Sequence, residues 1–151
     1  MPTEPSDTPA RVGGRLRAWL VAALVIAVAL HLYGLYRPGE PTASEWFPHS
    51  DKVLHVLGFA APSTLAVMLF RHWWPIAVFA GHAVVSEVVQ ASWLPGRDGD
   101  VLDVVADLTG LLPALALWWW LRRVESQRRA SATAESSPIS RTSAAARRPN
   151  A

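Results

Sequence analysis

Ionisable and amide side chains recur at helical spacing in three separate segments of this chain. Asp51 precedes His55 by four residues and Glu87 precedes Gln90 by three, so each pair would share one face of a helix. Carboxylates and an imidazole arranged in this way could exchange protons with a substrate, hold a divalent cation, or bind a charged head group. The candidate residues of this polar pocket are Asp51, Lys52, His55, Glu87, Gln90, Arg97, Asp100, Asp103 and Asp107.

Four apolar runs contain or flank these residues and must position them. Each run approaches the roughly 20 residues that a helix needs to cross the hydrocarbon core of a bilayer. Backbone polar groups in lipid need internal partners, so the runs are predicted to be helices. The first run outlasts the apolar core of a signal peptide, which favours a retained helix. The runs cover residues 18–36, 51–70, 75–93 and 101–121. The predicted fold class is all-α, an integral membrane four-helix bundle.

The basic residues divide unequally between the two sides that these helices would define. Of the 14 Lys and Arg residues, only Arg37, Lys52 and Arg97 fall on the side opposite the termini. Positive loops favour the cytoplasm, which predicts a multi-pass protein of the cell membrane with both termini cytoplasmic. The predicted domain covers residues 16–123. Residues 1–15 and 124–151 are predicted to be disordered cytoplasmic termini, because they lack an apolar period.

The polar residues should meet beneath the outer surface of the membrane. A charge at the centre of a bilayer costs roughly 2.5–3.5 kcal/mol on insertion scales, so the polar faces of helices 2, 3 and 4 should turn inward onto one pocket. Acids outnumber bases there, which predicts either protonated carboxylates or a cationic or metal-bound guest. Helix 1 has no acidic stripe and is expected to be peripheral to the pocket.

Small residues and prolines indicate how the helices pack. Ala106, Gly110 and Ala114 form a predicted small-residue ridge on helix 4, and Ala77 with Gly81 forms a second ridge on helix 3. Pro62 and Pro113 each remove a backbone donor from a helix interior, so helices 2 and 4 are expected to bend near them.

Two segments, in their order along the helices, resemble the VanZ-like family of small bacterial membrane proteins. The segments are DKVLHVLGFA (residues 51–60) and SEVVQASWLPGRDGDVLDVVADLTG (residues 86–110). The family pattern is Asp-Lys-x-x-His, then Glu-x-x-Gln, a Pro-Gly-Arg loop, and a helix start with Asp-x-x-x-Asn-x-x-Gly. Asp107 stands where the family usually has Asn, so an acid replaces an amide. The resemblance covers about residues 46–121. The residues that match the pattern are Asp51, Lys52, His55, Glu87, Gln90, Pro95, Arg97, Asp103 and Gly110.

The resemblance implies a protein of the cell envelope, since the founding member is associated with low-level resistance to the glycopeptide teicoplanin. We therefore expect the pocket to bind or process a cell-envelope or lipid molecule, such as a lipid-linked or cell-wall precursor, with a link to antibiotic resistance. Two alternatives stay open. One is a membrane-embedded hydrolase or transferase using Glu87, His55 and Asp103, and the other is a non-catalytic membrane scaffold with a structural polar network.

Composition and motif content limit the kinds of chemistry and ligand that this chain could use. The chain has no Cys, which excludes disulfides and thiolate chemistry, and its net charge of +2 gives no nucleic-acid footprint. No HExxH-like pattern is present, so no metal and no cofactor are predicted. A cation held by His55 with Asp51, Glu87 and Asp103 is an alternative to that expectation. His31, His49, His72 and His82 are expected to be isolated side chains without a ligand role.

Overall fold

The computed structural model describes residues 9–38, 48–96 and 99–136, and no strand occurs among them. The predicted all-α class is confirmed. The helices are α1 (Pro9–Tyr36), α2 (Ser50–Phe70), α3 (Trp74–Trp93), α4 (Val101–Gly110) and α5 (Leu112–Ser136).

The distribution of polar and apolar side chains over the bundle is that of a membrane protein. Four helical stretches are long and apolar enough to cross a membrane. Trp19, Trp93 and Val101 are each at least 75% exposed, whereas Gln90 and Asp107 are buried. A soluble domain would show the opposite arrangement, so the chain is a multi-pass membrane protein. The four stretches are Gly13–Tyr36, Ser50–Phe70, Trp74–Trp93 and Val101–Ala134.

The small residues of the ridge predicted on the fourth apolar run, now parts of α4 and α5, are buried, and Gly110 lets α4 pack closely on α2. Ala106, Gly110 and Ala114 are all buried. A Cβ added at Gly110 would meet the carbonyl oxygen of Val56 and the Cβ of Phe59. Glycine therefore lets the two backbones approach each other, which is how small residues support association of helices in lipid.

The second predicted ridge, on α3, is exposed in the part of the chain that the structure describes. Ala77 and Gly81 are exposed, and a Cβ at Gly81 would meet nothing within 4 Å among the described residues. The buried face of α3 instead carries Ala83, Ser86 and Gln90, together with Glu87. These positions follow helical spacing on another side of α3, because burying the polar groups determines which face turns inward.

The two prolines have different consequences. Helix α2 runs unbroken from Ser50 to Phe70 through Pro62. The fourth apolar run, predicted as one helix, is two helices that are interrupted at Leu111, two residues before Pro113. The Leu111 N–H donates to the carbonyl of Leu108 at 3.1 Å, which is the tighter bonding that accompanies a helix break.

Both terminal helices extend beyond the domain limits that hydropathy predicts. Helix α1 begins at Pro9 rather than near residue 16, and α5 continues past residue 123 to Ser136. The Arg, Ala, Gln and Glu residues in the C-terminal extension of α5 are good helix formers in water. A hydropathy pattern does not register this helix propensity. The predicted disorder of residues 1–8 and 137–151 lies outside the described residues.

The chain forms two compact units, of which the first runs to Trp118 and contains the bundle. The second unit begins at Trp119 and contains the rest of α5. Within it, the Arg123 guanidinium lies 3.4 Å from the centre of the Trp119 ring, a cation–π contact between helical neighbours.

Candidate functional site

Polar side chains from α2, α3 and the start of α4 meet at one end of the bundle. We call this group the polar cluster. Lys52 lies at its centre, where its Nζ donates to Asp100 Oδ2 at 2.6 Å and to Asp103 Oδ1 at 2.5 Å. Asp51 Oδ2 lies 3.1 Å from the same nitrogen. One lysine therefore ties the first turn of α2 to the first turn of α4. The members of the polar cluster are Asp51, Lys52, His55, Glu87, Asp100, Asp103 and Asp107.

Asp100 joins three helices through its side chain and its backbone. Its carboxylate caps α4 by accepting from the Leu102 N–H at 2.9 Å, and its own N–H donates to Glu87 Oε2 on α3 at 2.9 Å. The hydrogen bond from Lys52 holds the pKa of the Asp100 carboxyl below its ordinary value. The Asp100 carboxyl therefore stays ionised, and its negative charge is favourable at the N-terminus of α4, where the helix dipole is positive.

His55 lies deeper in the bundle, between two carboxylates of α4. Its Nδ1 is 2.8 Å from Asp107 Oδ1, and its Nε2 is 3.7 Å from Asp103 Oδ2. A carboxylate oxygen accepts hydrogen bonds, so Nδ1 carries the hydrogen and donates this bond to Asp107 Oδ1. Asp107 is fully buried. This hydrogen bond orients the imidazole so that its second ring nitrogen faces Asp103 of the polar cluster.

Three buried carboxylate oxygens of the polar cluster have no hydrogen-bond partner among the described residues. They are Asp51 Oδ1, Glu87 Oε1 and Asp107 Oδ2, and Glu87 is only 6% exposed. Most buried polar atoms in proteins are paired, because an unpaired one loses its hydration without compensation. These oxygens are therefore positions where a bound group would gain a contact.

Gln90, a predicted pocket residue, contacts α1. Its amide Nε2 donates to the carbonyl of Leu35 at 3.2 Å, near the end of α1, and its side chain is buried. Helix α1 supplies no charged member of the polar cluster, but this bond attaches it to α3. Helix α1 is therefore peripheral to the charged residues, as expected, but it accepts a hydrogen bond from a predicted pocket residue, which was not expected.

A second polar group was missed by the sequence reasoning. His31 Nε2 lies 3.3 Å from His82 Nδ1, and the Tyr36 hydroxyl lies 3.1 Å from His82 Nε2. The His31 ring also packs edge-on against Phe59, with 4.5 Å between ring centroids. The prediction that His31 and His82 are isolated is wrong, because the two helices bring them together. The spacing of His82, Ser86 and Gln90, four residues apart each, was the available signal for a shared buried face.

An apolar groove of about 780 Å³ lies between α1 and α2 beside the polar cluster. Its walls are formed mainly by small and aliphatic residues, among them Ala27, Leu30, Leu57 and Gly58. His55 lines the groove as well. His55 is therefore shared between an apolar surface and the charged interior.

The structure brings together most of the predicted pocket. Asp51, Lys52, His55, Glu87, Asp100, Asp103 and Asp107 form one connected cluster. Arg97, predicted to supply a second fixed cation, lies outside the described residues.

Within the described chain, five carboxylates of the polar cluster therefore face one lysine and one histidine. Such a cluster attracts cations and can hold a proton at a paired imidazole, which are the two chemical capacities of the site. Comparison of the chain with protein-family models, with curated proteins and with solved structures found no match.

Proposed function

We propose that this chain is a VanZ-like integral membrane protein that binds an amphipathic cell-envelope or lipid molecule. In this proposal, the polar cluster lies beneath the outer surface of the cell membrane and both termini are cytoplasmic. The excess of Lys and Arg near the termini supports that orientation. The ordered match of Asp51, Lys52, His55 and Glu87 to the family pattern supports the assignment, and these four side chains belong to one cluster.

The main support for a binding function is that His55 belongs both to the polar cluster and to the lining of the apolar groove. Its ring is hydrogen-bonded within the polar cluster and also lines the apolar groove between α1 and α2. A molecule with an acyl or isoprenoid chain would place that chain in the groove and its head group at the polar cluster. Lipid tails are as apolar as the groove walls, so close packing would hold the chain in the groove, while the polar contacts of the head group would supply selectivity.

Co-purification tests this function. Variant Ala27→Phe fills the groove, whereas Ala22→Phe places the same side chain at an exposed position of α1 outside the groove lining. Native mass spectrometry should detect one class of amphipathic molecule on the wild type and on Ala22→Phe. We expect about tenfold less of it on Ala27→Phe, corresponding to about 1.4 kcal/mol. Equal loading of all three proteins would contradict the proposal.

A cellular comparison tests the link to the envelope. A deletion strain should differ from its wild-type complement in envelope lipids and in susceptibility to teicoplanin-type antibiotics, and a Glu87→Gln complement should behave like the deletion. Membrane insertion and yield of the Glu87→Gln protein are the controls. Loss of folded protein in Glu87→Gln would favour a scaffold role instead, in which the polar cluster only orients the helices. Full rescue by Glu87→Gln would contradict a role of Glu87 in binding.

A membrane-embedded hydrolase or transferase is the second candidate, and one contact favours it. The Asp107 carboxylate orients His55 as a carboxylate orients the imidazole of a general base, with Nε2 directed away from it. In this candidate, Glu87 and Asp103 would assist His55 at the reacting group. Turnover of the co-purified molecule by the wild type, abolished in His55→Ala and preserved in His82→Ala, would support it.

A further inference from the structure

We propose that His55, Glu87 and Asp103 bind a divalent transition-metal ion, with zinc or manganese the best match. One side chain comes from each of α2, α3 and α4, and one ligand atom from each lies within 4.8 Å of those of the other two. All three residues are buried. An imidazole with two carboxylates is a ligand set that suits these ions, and three protein ligands leave a position open for water or substrate.

Each of the three side chains has one polar atom engaged and the other available. Asp103 Oδ1 accepts from Lys52, which leaves Oδ2. Glu87 Oε2 accepts from the Asp100 N–H, which leaves the buried Oε1 without a partner among the described residues. His55 Nδ1 is bonded to Asp107, which leaves Nε2. The engaged atoms hold the side chains in position, and the available atoms are the ones that a metal needs.

Asp107 orients His55 in the manner of a metal site. A histidine that ligates a metal almost always donates its other ring N–H to a carboxylate or carbonyl, and this bond selects the tautomer. The 2.8 Å bond from Nδ1 to Asp107 Oδ1 is that arrangement, and Asp107 is 0% exposed. With the proton on Nδ1, the lone pair of Nε2 faces the Asp103 carboxylate.

The distance between these two facing groups is that of two ligands of one ion. His55 Nε2 and Asp103 Oδ2 are 3.7 Å apart, and both are acceptors when His55 is neutral. A tetrahedral ion with bonds of about 2.1 Å separates its ligands by about 3.4 Å. An ion between these two atoms would therefore require a shift of only a few tenths of an ångström between them. Glu87, which offers an oxygen within 4.8 Å of the other ligand atoms, would move further to supply the third ligand.

The charge of the polar cluster favours the same assignment. Its five carboxylates are opposed among the described residues by one lysine, whose nitrogen already contacts three of them. Glu87 and Asp103 would supply the two negative charges that a divalent cation requires. The binding of such an ion would remove the repulsion between carboxylates in a medium of low dielectric constant.

This proposal concerns the metal alone, so it is tested on the full chain in detergent without the envelope molecule. The protein is stripped with a chelator and reloaded separately with Zn²⁺ or Mn²⁺ at neutral pH, and bound metal is measured by elemental analysis and calorimetry. We expect about one ion per chain. Wild type that retains less than about a tenth of an equivalent, while still folded by circular dichroism, would overturn the proposal.

Matched variants locate the ion. Glu87→Gln and Asp103→Asn should each weaken binding at least about 100-fold, and Asp107→Asn, which only loosens His55, by about 10–100-fold. Glu125→Gln removes a carboxylate outside the bundle unit and should bind like wild type. Wild-type affinity in Glu87→Gln and Asp103→Asn would overturn the assignment even if the chain binds metal.

If a variant fails to fold, ¹⁵N NMR of His55 in the wild-type protein still tests the metal site. In the metal-free wild type, ¹⁵N NMR of His55 should show a protonated Nδ1 and a bare Nε2, and addition of Zn²⁺ should shift Nε2. Protonation of both nitrogens with no response to Zn²⁺ would mean that His55 is a cation paired with Asp103 and Asp107, and it would overturn the proposal.

Discussion

Lys52 of α2 and Asp103 of α4 form a 2.5 Å salt bridge between residues that are 51 positions apart in the sequence. The same ammonium group contacts Asp51 and Asp100. Since these bonds join the first turns of two membrane helices, Lys52 sets how α2 and α4 are aligned. The alignment in turn places His55 between Asp103 and Asp107.

Replacement of Lys52 should destabilise the bundle more than it affects insertion. Lys52→Met leaves three carboxylates without their shared cation, and we expect a loss of about 2–4 kcal/mol in the free energy of unfolding. The lower part of that range applies because the Lys52 side chain is 22% exposed and water screens part of the charge. Reversible unfolding in mixed micelles measures the loss. Arg128→Met, in the exposed part of α5, should unfold like wild type, and equal stability of the two variants would contradict the role of Lys52.

Two glycines should respond oppositely to the same substitution. Gly110→Ala places a methyl group against the α2 backbone at Val56, so we expect a loss of about 1–3 kcal/mol by overpacking. Gly81→Ala meets nothing within 4 Å among the described residues and should stabilise α3 by up to about 1 kcal/mol. The same unfolding assay compares them. A neutral Gly110→Ala would show that α2 and α4 do not pack this closely.

Acid should weaken the link between α2 and α4. The hydrogen bond from Lys52 lowers the folded-state pKa of Asp100 below its ordinary value of 3.8, so the contribution of this group is present above that value. It is lost as pH falls through the lower folded-state pKa. Unfolding measured from about pH 6 to about pH 3 should therefore show a steeper acid loss in wild type than in Asp100→Asn. Parallel curves would mean that the Lys52–Asp100 bond contributes nothing.

The proposed orientation can be tested by labelling, since the chain contains no Cys. Pro95→Cys reports on the loop beside the polar cluster, and Ser131→Cys reports on the C-terminal part of α5. A membrane-impermeant maleimide applied to intact cells should label Pro95→Cys and not Ser131→Cys, which should react only after lysis. The reverse pattern would place the polar cluster on the cytoplasmic side and contradict the positive-inside argument.

Spacing along the chain predicted much of the polar cluster because each stripe belongs to one helix. Asp51 and His55 share a face of α2 at any rotation of that helix, and so do Asp100, Asp103 and Asp107 at the start of α4. Spacing could not predict which carboxylates Lys52 selects, nor that Gln90 bonds to Leu35 and His82 to His31. Those partners are far apart in sequence, and their meeting depends on how each helix is rotated.

The sequence by itself determined the four apolar spans and the polar ends of three of them, because hydropathy and helical period are local properties of the chain. Tertiary structure alone decided the inward face of α3 and the direction in which His55 Nε2 points. The physical reason is that apolar faces are nearly equivalent in lipid, so helix rotation is set by which polar groups find partners across the bundle.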